Sequence, residues 1–148
     1  MKKITFLFYN NKDIASFFIR MRLSTVFSHV AIRFEDNGLF HSSLMKGTHR
    51  DDTYAPEPVF TSTIEVSEAG YAEALAFVHG AVGSPYDFTA ILGFIAGNKT
   101  NKDTSYFCSE LGREIFERAT GIKLGYYNLV TPGQLRLMTE TYRLVAEK

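Results

Sequence analysis

The chain has 148 residues, of which 45% are hydrophobic and 22% charged, with 16 basic and 16 acidic residues for a formal net charge of +0. That size suits one domain, 1–148, with room for a real core, and the even charge without a basic stripe speaks against nucleic-acid binding. A single cysteine excludes an internal disulfide and a zinc cluster of the CxxC type.

The opening Met1 to Asn10 has a leader's flavour, but its apolar run stops after Tyr9, too short for a signal core. Ile4–Tyr9 is therefore expected to be a buried strand. Asp13 is placed to cap a helix from Ile14 to Leu23, with Ile14, Phe17, Phe18 and Met21 on one face. Ser28–Phe34 alternates Val30, Ile32 and Phe34 as a strand does, and Asp36-Asn37-Gly38 is a hairpin signal. Leu39–Leu44 returns as the second strand. Lys46–Pro58 is polar and holds Pro56 and Pro58, which suits a loop or a short irregular strand. Val59–Val66 is rich in β-branched residues and predicts a strand. Ser67 caps a helix over Ala69–Val82, with Ala72, Leu75, Ala76 and Val78 as its apolar contacts, and Gly83-Ser84-Pro85 ends it. Asp87–Ala96 predicts a very apolar helix and Gly97–Asp103 a polar loop. Phe107–Ala119 predicts a helix closed by Gly121. Pro132 opens a short helix after Thr131, and Thr141–Val145 predicts a closing strand. No run reaches the roughly 20 apolar residues of a membrane span, so a core helix is the better reading of Phe88–Gly97 than lipid contact. The order is α+β, with a small antiparallel sheet packed against helices. A cytoplasmic or phage-associated protein is expected.

Cys108 sits near a helix start in Ser105-Tyr106-Phe107-Cys108-Ser109-Glu110-Leu111. With Thr104 or Ser105 as N-cap, the helix dipole would favour a negative sulfur. The commoner role of a free cysteine is that of a small buried hydrophobe. Two histidines change the balance. His29 starts a strand on the face opposite Val30, Ile32 and Phe34. His41 lies twelve positions on, across the hairpin turn. A histidine supplies a base for a thiol, and a second polar group holds that histidine in one tautomer. Register is the obstacle. A strict two-residue Asn-Gly turn sets His29 opposite Lys46, and only a wider loop or a bulge brings His41 close. Ser42 and Ser43 are the fallback partners. Tyr86 is a further candidate, its hydroxyl a donor to an oxyanion, with packing beside Pro85 as the alternative. His49 and His79 read as structural or surface residues, and Arg50-Asp51-Asp52 as a solvated loop. His29, His41 and Cys108 lack the close ligand pair of a zinc site, so no metal and no cofactor is expected.

Ser28-His29-Val30-Ala31-Ile32, Gly38-Leu39-Phe40-His41, Gly83-Ser84-Pro85-Tyr86-Asp87 and Phe107-Cys108-Ser109-Glu110-Leu111 together resemble the circularly permuted branch of the NlpC/P60 papain-like superfamily. That branch includes the lecithin retinol acyltransferase-like and YiiX-like proteins, in which the histidine precedes the cysteine. The resemblance spans Ser28 to Ala119. It implies a permuted papain-like fold, with Cys108 as nucleophile, His29 as base and His41 as the third polar residue, where YiiX-like members often carry glutamate. It also implies hydrolysis or transfer at a peptide, amide or acyl substrate through a thioester acyl-enzyme, foremost as an amidase or peptidase. The competing expectations are a non-catalytic binding or phage-particle assembly module on the same fold, and a lipid acyltransferase or thioesterase.

Overall fold

Apolar residues decide which strand lies in the middle. In β1, Lys2–Tyr9, burial alternates at first and then becomes continuous from Phe6 to Tyr9. A strand buried on both faces has to be flanked on both sides, and β1 is. It pairs antiparallel with β2, His29–Phe34, and with β5, Phe60–Val66. With β3, Gly38–Ser43, and β4, Gly47–Arg50, the sheet has five antiparallel strands in the order β4-β3-β2-β1-β5. The computed structural model describes residues 1–11, 26–86, 108–123 and 130–148. The expected helix Ile14–Leu23, the apolar segment Asp87–Ala96, the loop Gly97–Asp103 and the capping residues Thr104 and Ser105 lie outside them.

Among the described residues there are three helices, so the fold is α+β. These are α1, Glu68–Ala81, α2, Cys108–Thr120, and α3, Pro132–Ala146. None is long and apolar enough to cross a membrane. They contribute to one apolar core with Ile4, Phe6, Phe8, Val30, Ile32 and Phe34 of the sheet. Leu111 and Ile115 of α2 are completely buried there, and burial of a side chain of this size stabilises by about 1.5–3 kcal/mol. The opposite face of the sheet holds a smaller apolar group of Leu7, Tyr9, Ala31 and Leu39, with Tyr54 packed on it.

Two expected elements differ in detail, and a third settles between its two options. The Ser67 hydroxyl does cap α1, accepting from the Gly70 amide at 3.1 Å. Its buried face, however, is Tyr71, Ala74, Val78 and Ala81, while Ala72 and Ala76 are exposed and Leu75 half-buried. Tyr71 turns the helix. Its ring meets Phe34 edge-on at 5.4 Å and its hydroxyl accepts from Asp36 N at 3.3 Å. The turn also brings Gly70 against α2, where a Cβ would stand 2.2 Å from the Ala119 carbonyl oxygen. The closing strand over Thr141–Val145 is not formed, because α3 runs through it. Thr131 and Gln134 make a reciprocal capping box, and Leu135 and Thr139 keep a helical spacing in the core. Arg143 ties successive turns by bonding both Glu140 and Glu147. Finally, Lys46–Pro58 takes the strand option at its start, as β4.

Candidate functional site at the head of the sheet

The hairpin between β2 and β3 sets the geometry. Its pairs are Ile32–Phe40, Arg33–Leu39 and Phe34–Gly38, so three residues, Glu35 to Asn37, make the turn. The two-residue turn that would place His29 opposite Lys46 is therefore not formed. Gly38 has φ +88°, a value that a side chain makes costly and glycine does not, so the wider turn is available at this position. Continued past Ile32–Phe40, this register sets His41 across from Ala31. His29 then lies one diagonal step away on the same face, within reach of a ring. The two rings meet: His29 Nε2 and His41 Nδ1 are 2.7 Å apart. Both residues are buried. Ser42 points to the other face, opposite Thr48, so His41 rather than a serine is the partner of His29.

Recorded pairing between β2 and β3 stops at Ile32–Phe40. Beyond that pair the backbone amide of Val30 lies near enough to the Cys108 sulfur to favour its charged form. The thiol thus lies by the residue that follows His29, and adjacent Cα atoms are about 3.8 Å apart. Cys108 is the first residue of α2. Leu111, Ile115 and Phe116 are buried, and Ser109 Oγ donates to the Val130 carbonyl, so the head of this helix is fixed from both sides. Tyr9 and Tyr54 complete the surroundings of the imidazoles. Their rings lie 6.0 and 5.8 Å from His29, and Tyr54 is 4.6 Å from His41. Burial, then the neighbouring Tyr54, pushes the Tyr9 hydroxyl up to about 12, so it stays protonated at neutral pH. Tyr86 is half-buried and follows Ser84, whose carbonyl accepts from the Thr48 amide at the β4 edge.

The electrostatics do not favour a resting thiolate. Cys108 is 1% exposed, and burial pushes its thiol up to about 12. Amides of Val30, Ser109 and Cys108 itself pull the other way, while Glu110 adds to the rise. The helix-start setting is present, but desolvation outweighs it. His41 moves in the opposite direction for the same reason. Burial, and then the charge of His49, brings it down to about 4 against the pull of Asp51. His41 is therefore neutral at pH 7 and carries one ring proton.

The raised thiol has a measurable consequence. A group that keeps its proton longer when folded stabilises fully below its unfolded value, near 9, and that stability is lost as pH rises toward 12. Urea unfolding of the native chain and of Cys108→Ala is expected to show a gap that shrinks between pH 8.5 and pH 11, by at most about 1.4 kcal/mol per pH unit. Parallel curves for the two proteins over that range would contradict the assignment.

Two residues that the sequence reading set aside belong to this site. His49 pairs across the β3–β4 ladder with His41, and Asp51 follows two positions later. Asp51 Oδ2 lies 3.7 Å from His41 Nε2 and 3.9 Å from His49 Nε2. Burial works against the Asp51 charge, but bonds from Thr53 and the facing imidazoles hold its carboxyl below the usual range. The signal was present in the chain as His-x-Asp at strand spacing, one hairpin beyond His41.

No protein-family model matches the chain, and no curated protein matches it.

Proposed function

We propose that the chain is a cysteine-dependent hydrolase of the amidase or peptidase type, on a circularly permuted papain-like fold. The observation that carries this reading is the joining of three distant segments. The Cys108 sulfur lies by the amide of Val30, the residue after His29 in the chain, and the His29 ring meets His41 at 2.7 Å. The histidine-before-cysteine order and the five-stranded antiparallel sheet under α2 are compatible with the permuted NlpC/P60-like arrangement that the sequence resembles.

With a thiol raised to about 12, a preformed thiolate–imidazolium pair is not the resting state. The proton leaves during attack. As the Cys108 sulfur bonds to the substrate carbonyl carbon, its proton passes to His29 Nδ1. His29 Nε2–H donates to His41 Nδ1 throughout, which fixes the tautomer and the plane of the ring. The amide of Cys108, at the start of α2, donates to the oxyanion. Collapse expels the leaving amine with the proton from His29 and leaves a thioester on Cys108. Water then attacks that thioester with His29 again as base, releasing the acid and restoring the thiol. Tyr86 remains a candidate donor to the oxyanion.

One observation favours a second reading. A sulfur 1% exposed and protonated suits a packed residue in a binding or assembly module. Intact-mass measurement after incubation with nitrophenyl esters and activated peptide amides separates the two. The hydrolase is expected to carry an acyl adduct on Cys108 that Cys108→Ala lacks. No adduct across the panel means the thiol is idle, and an adduct that forms equally in His29→Gln means His29 is not its base.

A further inference from the structure

We propose that His41, His49 and Asp51 form a site for one divalent transition-metal cation of the zinc class, and that filling it switches the tautomer of His29. The site stands on its own geometry, and the consequence for His29 as a base rests on the hydrolase reading above.

The donor atoms are preset. His49 Nδ1 donates to the Gly47 carbonyl at 2.9 Å, which leaves Nε2 as the nitrogen able to present a lone pair to a metal. A metal-ligating histidine is commonly oriented in this way, by a backbone acceptor on its other nitrogen. His41 is 2% exposed, and its Nε2 is buried without a hydrogen-bond partner. A buried polar atom left in that state is destabilising, and this one lies 3.7 Å from the Asp51 carboxylate, beside the His49 ring. The three donor atoms lie within 4.8 Å of one another. Two ligands of a tetrahedral zinc stand about 3.3 Å apart, so a small inward movement brings all three into coordination. Asp51 and His49 are both half-buried, which leaves a way in for the ion and room for water at a fourth position. Two imidazoles and one carboxylate are a borderline donor set that suits zinc better than calcium or magnesium.

Coordination fixes protons. A metal on His41 Nε2 takes that lone pair, so the ring proton of neutral His41 sits on Nδ1. At 2.7 Å that proton is donated to His29 Nε2. The proton of neutral His29 is then on Nδ1, the nitrogen that has to be bare to accept from Cys108. The filled site therefore holds the base in its inactive tautomer without touching the sulfur. In the empty site the order is reversed, with Nε2–H on His29 and Nε2–H on His41 facing Asp51.

Zinc titration by calorimetry on Cys108→Ala, which removes the thiol as a competing ligand, tests the site. One equivalent is expected to bind, with affinity reduced at least tenfold by adding His49→Ala or the near-isosteric Asp51→Asn. Equal affinity in all three proteins overturns the site. Histidine 15N NMR on Cys108→Ala tests the switch. The proton of His29 is expected on Nε2 without metal and on Nδ1 with zinc. Binding with no change at His29 overturns the switch and leaves the site. Neither readout requires turnover, so failure of the hydrolase reading would be seen separately, in the acyl-adduct experiment.

Discussion

Replacing His29 with glutamine is expected to slow acylation of Cys108 by about 10²–10⁴-fold, the usual worth of a positioned general base. The effect should lie at the large end because the thiol starts protonated. A sulfur raised to about 12 has almost no thiolate of its own at pH 7, so nearly all reaction has to pass through the base. In the proposed mechanism His41 acts through His29 and is a positioning residue. Its removal in His41→Ala leaves the His29 ring free to swing, and a displacement of about 1 Å costs on the order of 10²-fold. His41→Gln keeps an acceptor at that place and should recover a large part of the loss. Stopped-flow release of nitrophenol measures all three. If His41→Gln is no better than His41→Ala while both fold normally, the His29–His41 bond has no orienting role.

Gly47→Ala is expected to destabilise the protein by about 2–5 kcal/mol, the sum of a left-handed backbone strain of about 1–2 and an overlap of about 1–3. Gly47 has φ +64°, and a Cβ there would stand 2.2 Å from the Ser84 carbonyl oxygen. That oxygen is not able to retreat freely, because it accepts from the Thr48 amide at 2.9 Å and Gly83 N donates back to Thr48 O at 2.9 Å. Segment Gly83–Pro85 is in this way laced to the outer edge of β4. Gly80→Ala is the control. Beyond its chain neighbours and its own helix backbone nothing lies within 4 Å of its added Cβ, so that change should be neutral or stabilising by about 0.5–1 kcal/mol. Urea midpoints compare the two. Equal midpoints would mean that the lacing of β4 is not present in solution.

Much of the sheet was legible because β1 is a continuous apolar run, β2 alternates, the turn signal returns β3 and β5 is rich in β-branched residues. Val30, Ile32 and Phe34 face the helices and His29 faces away, as the period of two requires. Boundaries of α1 and α2 followed from a capping serine and from the buried positions Leu111, Ile115 and Phe116. Thr141–Val145 misled because propensity is weak beside a capping box and a helical apolar face. The rotation of α1 was not legible, since Tyr71 wins the core through contacts with residues 34 to 37. The pairing of His29 with His41 was readable only as a possibility conditional on a wider turn, which depends on Gly38 adopting φ +88°. The thiol's burial was opaque for another reason. A helix-start position argues for acidity, while desolvation depends on everything packed around it. His49 and Asp51 were missed because a loop of charged residues reads as solvated until the β3–β4 ladder is known.

The central place of β1 bears on how the protein is made. Phe6 and Phe8 are made well before Ser62 and Phe60, their sheet partners on one side, and Phe6 also packs on the ring of Phe116. During synthesis the surroundings of Phe6 stay incomplete until roughly a hundred further residues have been made. Long-range pairing of this kind slows folding and lengthens the window for aggregation. Slower translation, lower temperature or a chaperone that shields the nascent strand should therefore raise the soluble yield.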